Sequence, residues 1–121
     1  MCYDYARMLK DIEMLTDNYN IIERFSIGKS VMQKDIPCLK IGKGKKKLIL
    51  SGAYHGLEYL TAAFLIKFVS NYTVKLMTET EYFGYDIKRL YSDITVYVVP
   101  MVNPDGVDIA LNGLDITNEY H

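Results

Sequence analysis

The stretch Leu48–Ala62, LILSGAYHGLEYLTA, carries the reading of the fold. Leu48 to Ser51 is a short apolar run, the pattern of a buried strand. Gly52 to Gly56 (GAYHG) breaks that pattern and reads as a loop. From Glu58 to about Met77 the chain is apolar again, with Leu60, Ala62, Ala63, Phe64, Leu65, Ile66, Phe68 and Val69. This run is too long for a strand and holds no internal Gly or Pro. It reads as a helix packed on most sides.

Downstream, Ile94 to Val99 (ITVYVV) is β-branched and unbroken, which predicts a central strand. A crossover through the long helix is right-handed and makes the strands on either side of it parallel. Tyr85 to Tyr91 reads as a shorter helical turn between them. Upstream, Ile21 to Ile27 and Asp35 to Ile41 alternate loosely and end at Gly28 and Gly42. They read as two strands joined through GKSVMQK as a hairpin. Pro37 inside the second implies an edge position or a missing ladder bond. Asp4 to about Asn18 places Met8, Leu9, Ile12 and Leu15 on one helical stripe, with Asp4 as N-cap and Asn18 and Asn20 at the exit. Asn103-Pro104-Asp105-Gly106 fits a type I turn, and Val107 to Leu111 a short helix stopped at Asn112-Gly113. The order predicts an α/β class with a mixed sheet, a hairpin first and a parallel crossover after it.

Composition narrows the function. The 121 residues suffice for one domain. Half are hydrophobic and 24% charged, the balance of a globular protein. A net charge of -1 gives no electrostatic case for nucleic acid or an anionic surface. The five residues Lys43–Lys47 (KGKKK) read as a solvated turn between strands rather than an anion patch. Eleven Tyr and no Trp point to core and rim packing. Cys2 and Cys38 form no CxxC pair and read as free thiols. No signal peptide and no apolar run of membrane-spanning length is visible, so the expected location is cytoplasmic, with no membrane partner.

The residues that could carry chemistry sit in the loop leaving the Leu48–Ser51 strand, where an α/β sheet presents its ligands. The loop delivers His55, and Glu58 follows three residues later, so both side chains fall on one side. An imidazole nitrogen with a carboxylate oxygen suits Zn²⁺, a borderline-soft ion. A helix N-terminus keeps Glu58 ionised. The same HxxE spacing also fits a loop His bonded to backbone beside a Glu that caps the helix.

Four stretches together resemble the zinc carboxypeptidase family of carboxypeptidase A-like metallopeptidases. They are the opening helix running into IIERFSIGKSVMQKDIPCLKIG, then LILSGAYHGLEYLTA, then FGYDIKRLYSDITVYVVPMVNPDG, and the tail GVDIALNGL. The most specific match is VVPMVNPDGV. The likeness is nearest to the bacterial branch of γ-D-glutamyl-diamino acid peptidases acting on peptidoglycan peptides. It implies a three-layer α/β/α mixed sheet, the amino-terminal half of a zinc-dependent exopeptidase (phosphorylase/hydrolase-like) fold, with residues 1–121 a single partial peptidase domain. It implies Zn²⁺ as cofactor, His55 and Glu58 as the first two metal ligands, and a peptide as substrate. It gives Asn103 and Asp105 a structural turn and no catalytic role. Leu57 stands where many members place an Arg that helps hold substrate, which puts that contact in doubt. His55-Gly56 also resembles the desuccinylase and aspartoacylase branch, which deacylates.

The resemblance places a third His ligand, the substrate-gripping Arg, an Asn-Arg pair, a Tyr and the general-base Glu further downstream than this chain reaches. His121 lies too close to Glu58 to match that third His. Two ligands without a base or a cationic clamp predict little or no peptidase activity and weak zinc binding for the chain alone. A missing neighbour beside Leu48–Ser51 would leave an open sheet edge. Self-association as a homo-oligomer, or a carboxyl-terminal half supplied separately, is expected to cover it. The alternative is a degenerate, non-catalytic binding or assembly module.

Overall fold

The structure, a computed structural model, describes residues 2–113. His121 lies outside the described residues. Helix α1 (Tyr5–Asn18) starts where expected, because the Asp4 carboxylate accepts from the Arg7 N–H at 2.9 Å. It buries Met8, Ile12 and Leu15, one stripe at helical spacing. Strands β1 (Glu23–Lys29) and β2 (Asp35–Ile41) form the antiparallel hairpin. Strand β3 (Lys46–Ser51) follows, then a single 3-10 turn at Gly56–Glu58 and helix α2 (Tyr59–Thr78). The long helix thus begins one residue after Glu58. A two-strand ribbon, β4 (Glu81–Tyr82) with β5 (Tyr85–Asp86), precedes α3 (Ile87–Asp93). The expected helical turn at Tyr85 is therefore shifted. Tyr85 and Asp86 are held by the ribbon, and Asp86 caps α3 by accepting from the Lys88 and Arg89 N–H groups. Strand β6 (Ile94–Val99) and helix α4 (Pro104–Asn112) complete the described chain.

The main sheet is mixed, in the order β1-β2-β6-β3. Strand β6 is central, antiparallel to β2 and parallel to β3, as the crossover through α2 requires. Pro37 lies in β2, which is an interior strand, not an edge. Pro37 is nevertheless tolerated because β6 pairs only with Leu39 to Ile41, so no ladder bond to β6 is lost at Pro37. Lys46 and Lys47 already pair with Ile94 and Thr95 as the start of β3, so the lysine run is a turn only through Lys45. Gly44 is required there, since a Cβ would fall 1.8 Å from the backbone carbon of Asp93.

One hydrophobic cluster joins helices α1 to α4 to one sheet face. It holds Met8 and Ile12 of α1, Leu39 and Ile41 of β2, Val96 and Val98 of β6, Ile66 and Val69 of α2, Ile87 of α3 and Val107 of α4. The opposite face carries Ile49 paired in register with Tyr97, and Phe25 edge-on to the Tyr97 ring at 6.4 Å. Two expectations are corrected here. Leu48 to Ser51 is not a buried strand: β3 is an edge, and Ile49 is 69% exposed. Nor is α2 packed on most sides. It buries one stripe through Ala62, Ile66, Val69, Tyr72 and Leu76, while Leu60, Phe64 and Met77 face outward. Apolar composition alone does not distinguish a strand covered by neighbours from one that still lacks them.

A buried carboxylate fastens the hairpin tip to α4. Asp105, 1% exposed, accepts from the Ser30 hydroxyl at 2.9 Å and the Met32 N–H at 3.0 Å, with the Lys34 ammonium at 3.5 Å. Lys34 also reaches Asp108 at 2.9 Å, and Asp108 accepts from the Tyr5 N–H at the start of α1. Asp105→Ala strands these donors. It is expected to lower unfolding stability by about 2–4 kcal/mol, read as a drop in the urea midpoint. A loss below about 0.5 kcal/mol, the range of an ordinary surface change, would show that the clamp carries no weight.

Candidate functional site

The loop after β3 is fastened to the segment after β6 almost residue by residue. Gly52 N–H donates to the Val99 carbonyl at 3.1 Å, Val102 N–H to the Gly52 carbonyl at 3.0 Å, and Asn103 N–H to the Ala53 carbonyl at 3.0 Å. Ala53 is buried and takes a left-handed φ of 53°, which a non-glycine residue adopts only under constraint. The constraint is Thr61 of α2. Its hydroxyl accepts from the Ala53 N–H at 2.7 Å and donates to the Glu58 carbonyl at 2.7 Å. Thr61 thereby ties the loop to the first turn of α2. Tyr54 turns outward, its hydroxyl 2.6 Å from the Ser51 hydroxyl.

His55 is extended, and the 3-10 turn Gly56–Glu58 starts after it. Gly56 is obligatory for packing, because a Cβ would lie 2.3 Å from the Gly106 carbonyl oxygen of α4. The turn closes with Glu58 N–H donating to the His55 carbonyl at 3.0 Å, and the His55 N–H lies 3.4 Å from one Glu58 carboxylate oxygen. The other oxygen, Oε2, is 2.7 Å from His55 Nδ1. A carboxylate only accepts, so Nδ1 donates. That hydrogen bond holds the Glu58 carboxyl below the usual carboxylate range, against a smaller opposing effect of desolvation. Both side chains are open to solvent, His55 81% and Glu58 46%.

The expected pair is therefore brought together on one side of the turn, with an imidazole nitrogen and a carboxylate oxygen facing each other. That donor set fits a borderline divalent ion. Among the described residues, no group of three or more His, Cys, Asp or Glu side chains comes together to hold a metal. Leu57, between the two, is 79% exposed and presents an apolar surface beside them. Asp105 is bonded to the hairpin tip. Asn103-Pro104-Asp105-Gly106 opens α4 instead of forming a separate turn, with Asn103 as N-cap and Pro104 in the first turn. An Asn followed by Pro ahead of an apolar run is a helix-start signal that a turn reading passes over. Thr61 left no such signal, because its role depends on the loop that folds back on it.

Residues 8–119 match the model of the zinc carboxypeptidase family. The chain belongs to the zinc carboxypeptidase family. It is similar to gamma-D-glutamyl-L-diamino acid endopeptidase 1 of Lysinibacillus sphaericus, with 36% identity over 92% of this chain and 28% of that protein. It is also similar to YqgT of Bacillus subtilis (strain 168), 32% identical over 94% of this chain and 31% of that one. Among solved structures, thrombin activatable fibrinolysis inhibitor superposes with a TM-score of 0.75 at 24% identity, over 93% of this chain and 29% of that one. That likeness is one of fold, and it agrees with the mixed α/β sheet. The chain spans less than a third of the length of these curated relatives. Carboxypeptidases of this family are zinc enzymes.

The contact between Gly56 and Gly106 can be tested directly. Gly56→Ala is expected to cost about 1–3 kcal/mol of stability, the range for overpacking a close contact, seen as a lower melting temperature. A variant that melts with the wild-type chain would mean that the turn and α4 do not touch.

Proposed function

We propose that this chain is a partial peptidase domain of a zinc-dependent metallocarboxypeptidase-like hydrolase, in which His55 and Glu58 are two of the metal ligands. The observation that carries the reading is the 2.7 Å approach of His55 Nδ1 to Glu58 Oε2 at the carboxyl end of a parallel strand. The proton that Nδ1 now directs at the carboxylate stands where a cation would take its place. Zinc, when bound, lowers the pKa of a bound water and polarises a carbonyl. The chain's own share would be to hold the ion by the His55 imidazole and the Glu58 carboxylate, which already face each other across the turn. The substrate class is peptides, with peptidoglycan-derived γ-D-glutamyl-diamino acid peptides favoured by the 36% identical relative.

Two ligands do not complete a catalytic shell, which keeps three protein ligands and an open position. We therefore expect the 121-residue chain to bind zinc weakly and to hydrolyse little or nothing. Zinc competition with a chromophoric chelator checks the first point. His55→Ala and Glu58→Gln should each weaken binding at least about tenfold, as loss of a supporting group alone does in metal sites. Binding that neither substitution changes overturns the assignment. For the second point, metal-dependent release of the diamino acid from a γ-D-glutamyl-diamino acid peptide by this chain would refute the expected inactivity. An acylase-like member would instead deacylate an N-acyl amino acid in the same assay format.

The open edge favours an assembly partner. Among the described residues, strand β3 pairs only with β6, and Ile49 of β3 is exposed, as are Leu60 and Phe64 of α2. We expect a second copy to cover this edge when no complementary half is present. This surface is also what a degenerate assembly module would use, and the chelator competition separates the two readings. Light scattering at high concentration should report a dimer that Ile49→Lys dissociates; a wild-type chain that stays monomeric counts against the edge as an interface.

A further inference from the structure

We infer that Asn103 is a positioning residue for the His55–Glu58 turn, joining the cap of α4 to the ligand loop through one side-chain amide. This rests on the metal reading above only for its consequence, not for its geometry. The amide Oδ1 accepts from the Gly106 N–H at 2.9 Å and caps α4. The amide Nδ2 donates to the Tyr54 carbonyl at 3.2 Å, the peptide group immediately before His55. The backbone N–H of the same residue donates to the Ala53 carbonyl at 3.0 Å. The two ends of the amide thus have opposite jobs. The acceptor end serves the helix, and the donor end serves the loop.

The arrangement matters because the bonds within the turn join His55 to Glu58 but do not fix the turn to the rest of the fold. His55 and Glu58 are both solvent-exposed, so no core packing orients them. Their placement comes from three supports: Thr61 behind Ala53, the close approach of Gly56 to Gly106, and Asn103 on Tyr54. Two of the three belong to the first turn of α4 and its cap. A loop held at peptides 53, 54 and 56 leaves residue 55 with few backbone choices. That is how a solvent-facing imidazole is kept aimed at a carboxylate three residues on.

The two jobs can be separated chemically. Asn103→Asp keeps an acceptor for the Gly106 N–H, and a negative charge at a helix N-terminus is favourable. It has no donor for the Tyr54 carbonyl. Asn103→Ala loses both. The experiment measures amide hydrogen exchange in the metal-free chain for wild type, Asn103→Asp and Asn103→Ala, and then zinc affinity by chelator competition. In Asn103→Asp the Gly106 and Val107 amides should keep their protection, while Ala53 and Glu58 lose roughly fivefold to tenfold, the factor of one lost hydrogen bond. Zinc affinity should fall by a similar factor with the melting temperature little changed. Asn103→Ala should expose both sets of amides. Unchanged protection at Ala53 and Glu58 in Asn103→Asp overturns the inference. So does a uniform loss across β6 and α1, which would mark Asn103 as a general stability residue. If wild type binds no zinc, the metal reading fails, and the exchange data still decide the role of Asn103.

Discussion

The parallel pairing of β3 with β6 is the constraint on which the rest of the molecule depends. Two parallel neighbours end at the same edge of a sheet, so the segments that follow them leave side by side. Here those segments are Gly52–Gly56 and Val102–Gly106, and backbone bonds from Gly52 and Asn103 join them at once. An antiparallel arrangement would send the two segments to opposite ends of the sheet. The close approach of Gly56 to Gly106 would then not exist. The crossover through α2 makes the parallel pair obligatory, and α2 in turn supplies Thr61 to the loop.

Around that pair the fold is asymmetric. One sheet face carries the whole hydrophobic cluster, to which α1, α2, α3 and α4 all contribute. The other presents Ile49, Tyr97 and Phe25. At the same end of the sheet as the His55 loop, the hairpin tip would be a loose loop were it not for Asp105 and Asp108, which collect Ser30, Met32, Lys34 and Tyr5. A buried carboxylate is tolerable only with such a set of donors. Helix α4 therefore works in two directions. Its cap reaches the His55 loop, and its first two turns hold the hairpin and the start of α1.

The His55–Glu58 pair is a small device with few parts. Its geometry is set by backbone bonds, a glycine contact and the side chains of Thr61 and Asn103, not by burial. A hydrogen bond from its own turn lowers the carboxyl's pKa from the ordinary value. Such a pair can offer two donor atoms to an ion, and a longer family member has room to add others. The distance between membership of the zinc carboxypeptidase family and a complete catalytic centre is visible in the donor set itself: among the described residues it stops at two.

Much of this was legible in the sequence. The alternation of Ile21–Ile27 and Asp35–Ile41, the β-branched run Ile94–Val99 and the capped stripe of α1 are local signals, and each produced its element within a few residues. The HxxE spacing placed His55 and Glu58 on one side of a turn because three residues span about one helical turn. Other features were decided only by the tertiary structure. The exposure of Ile49 and of one side of α2 depends on which neighbours are present, and an apolar run carries no record of that. The left-handed Ala53, the bridge through Thr61 and the two-ended amide of Asn103 join residues up to 49 positions apart. Local composition fixes which residue types can form a strand, a cap or a ligand pair. Only chain crossing brings the loop after one strand against the loop after another, and that contact aims the imidazole at the carboxylate.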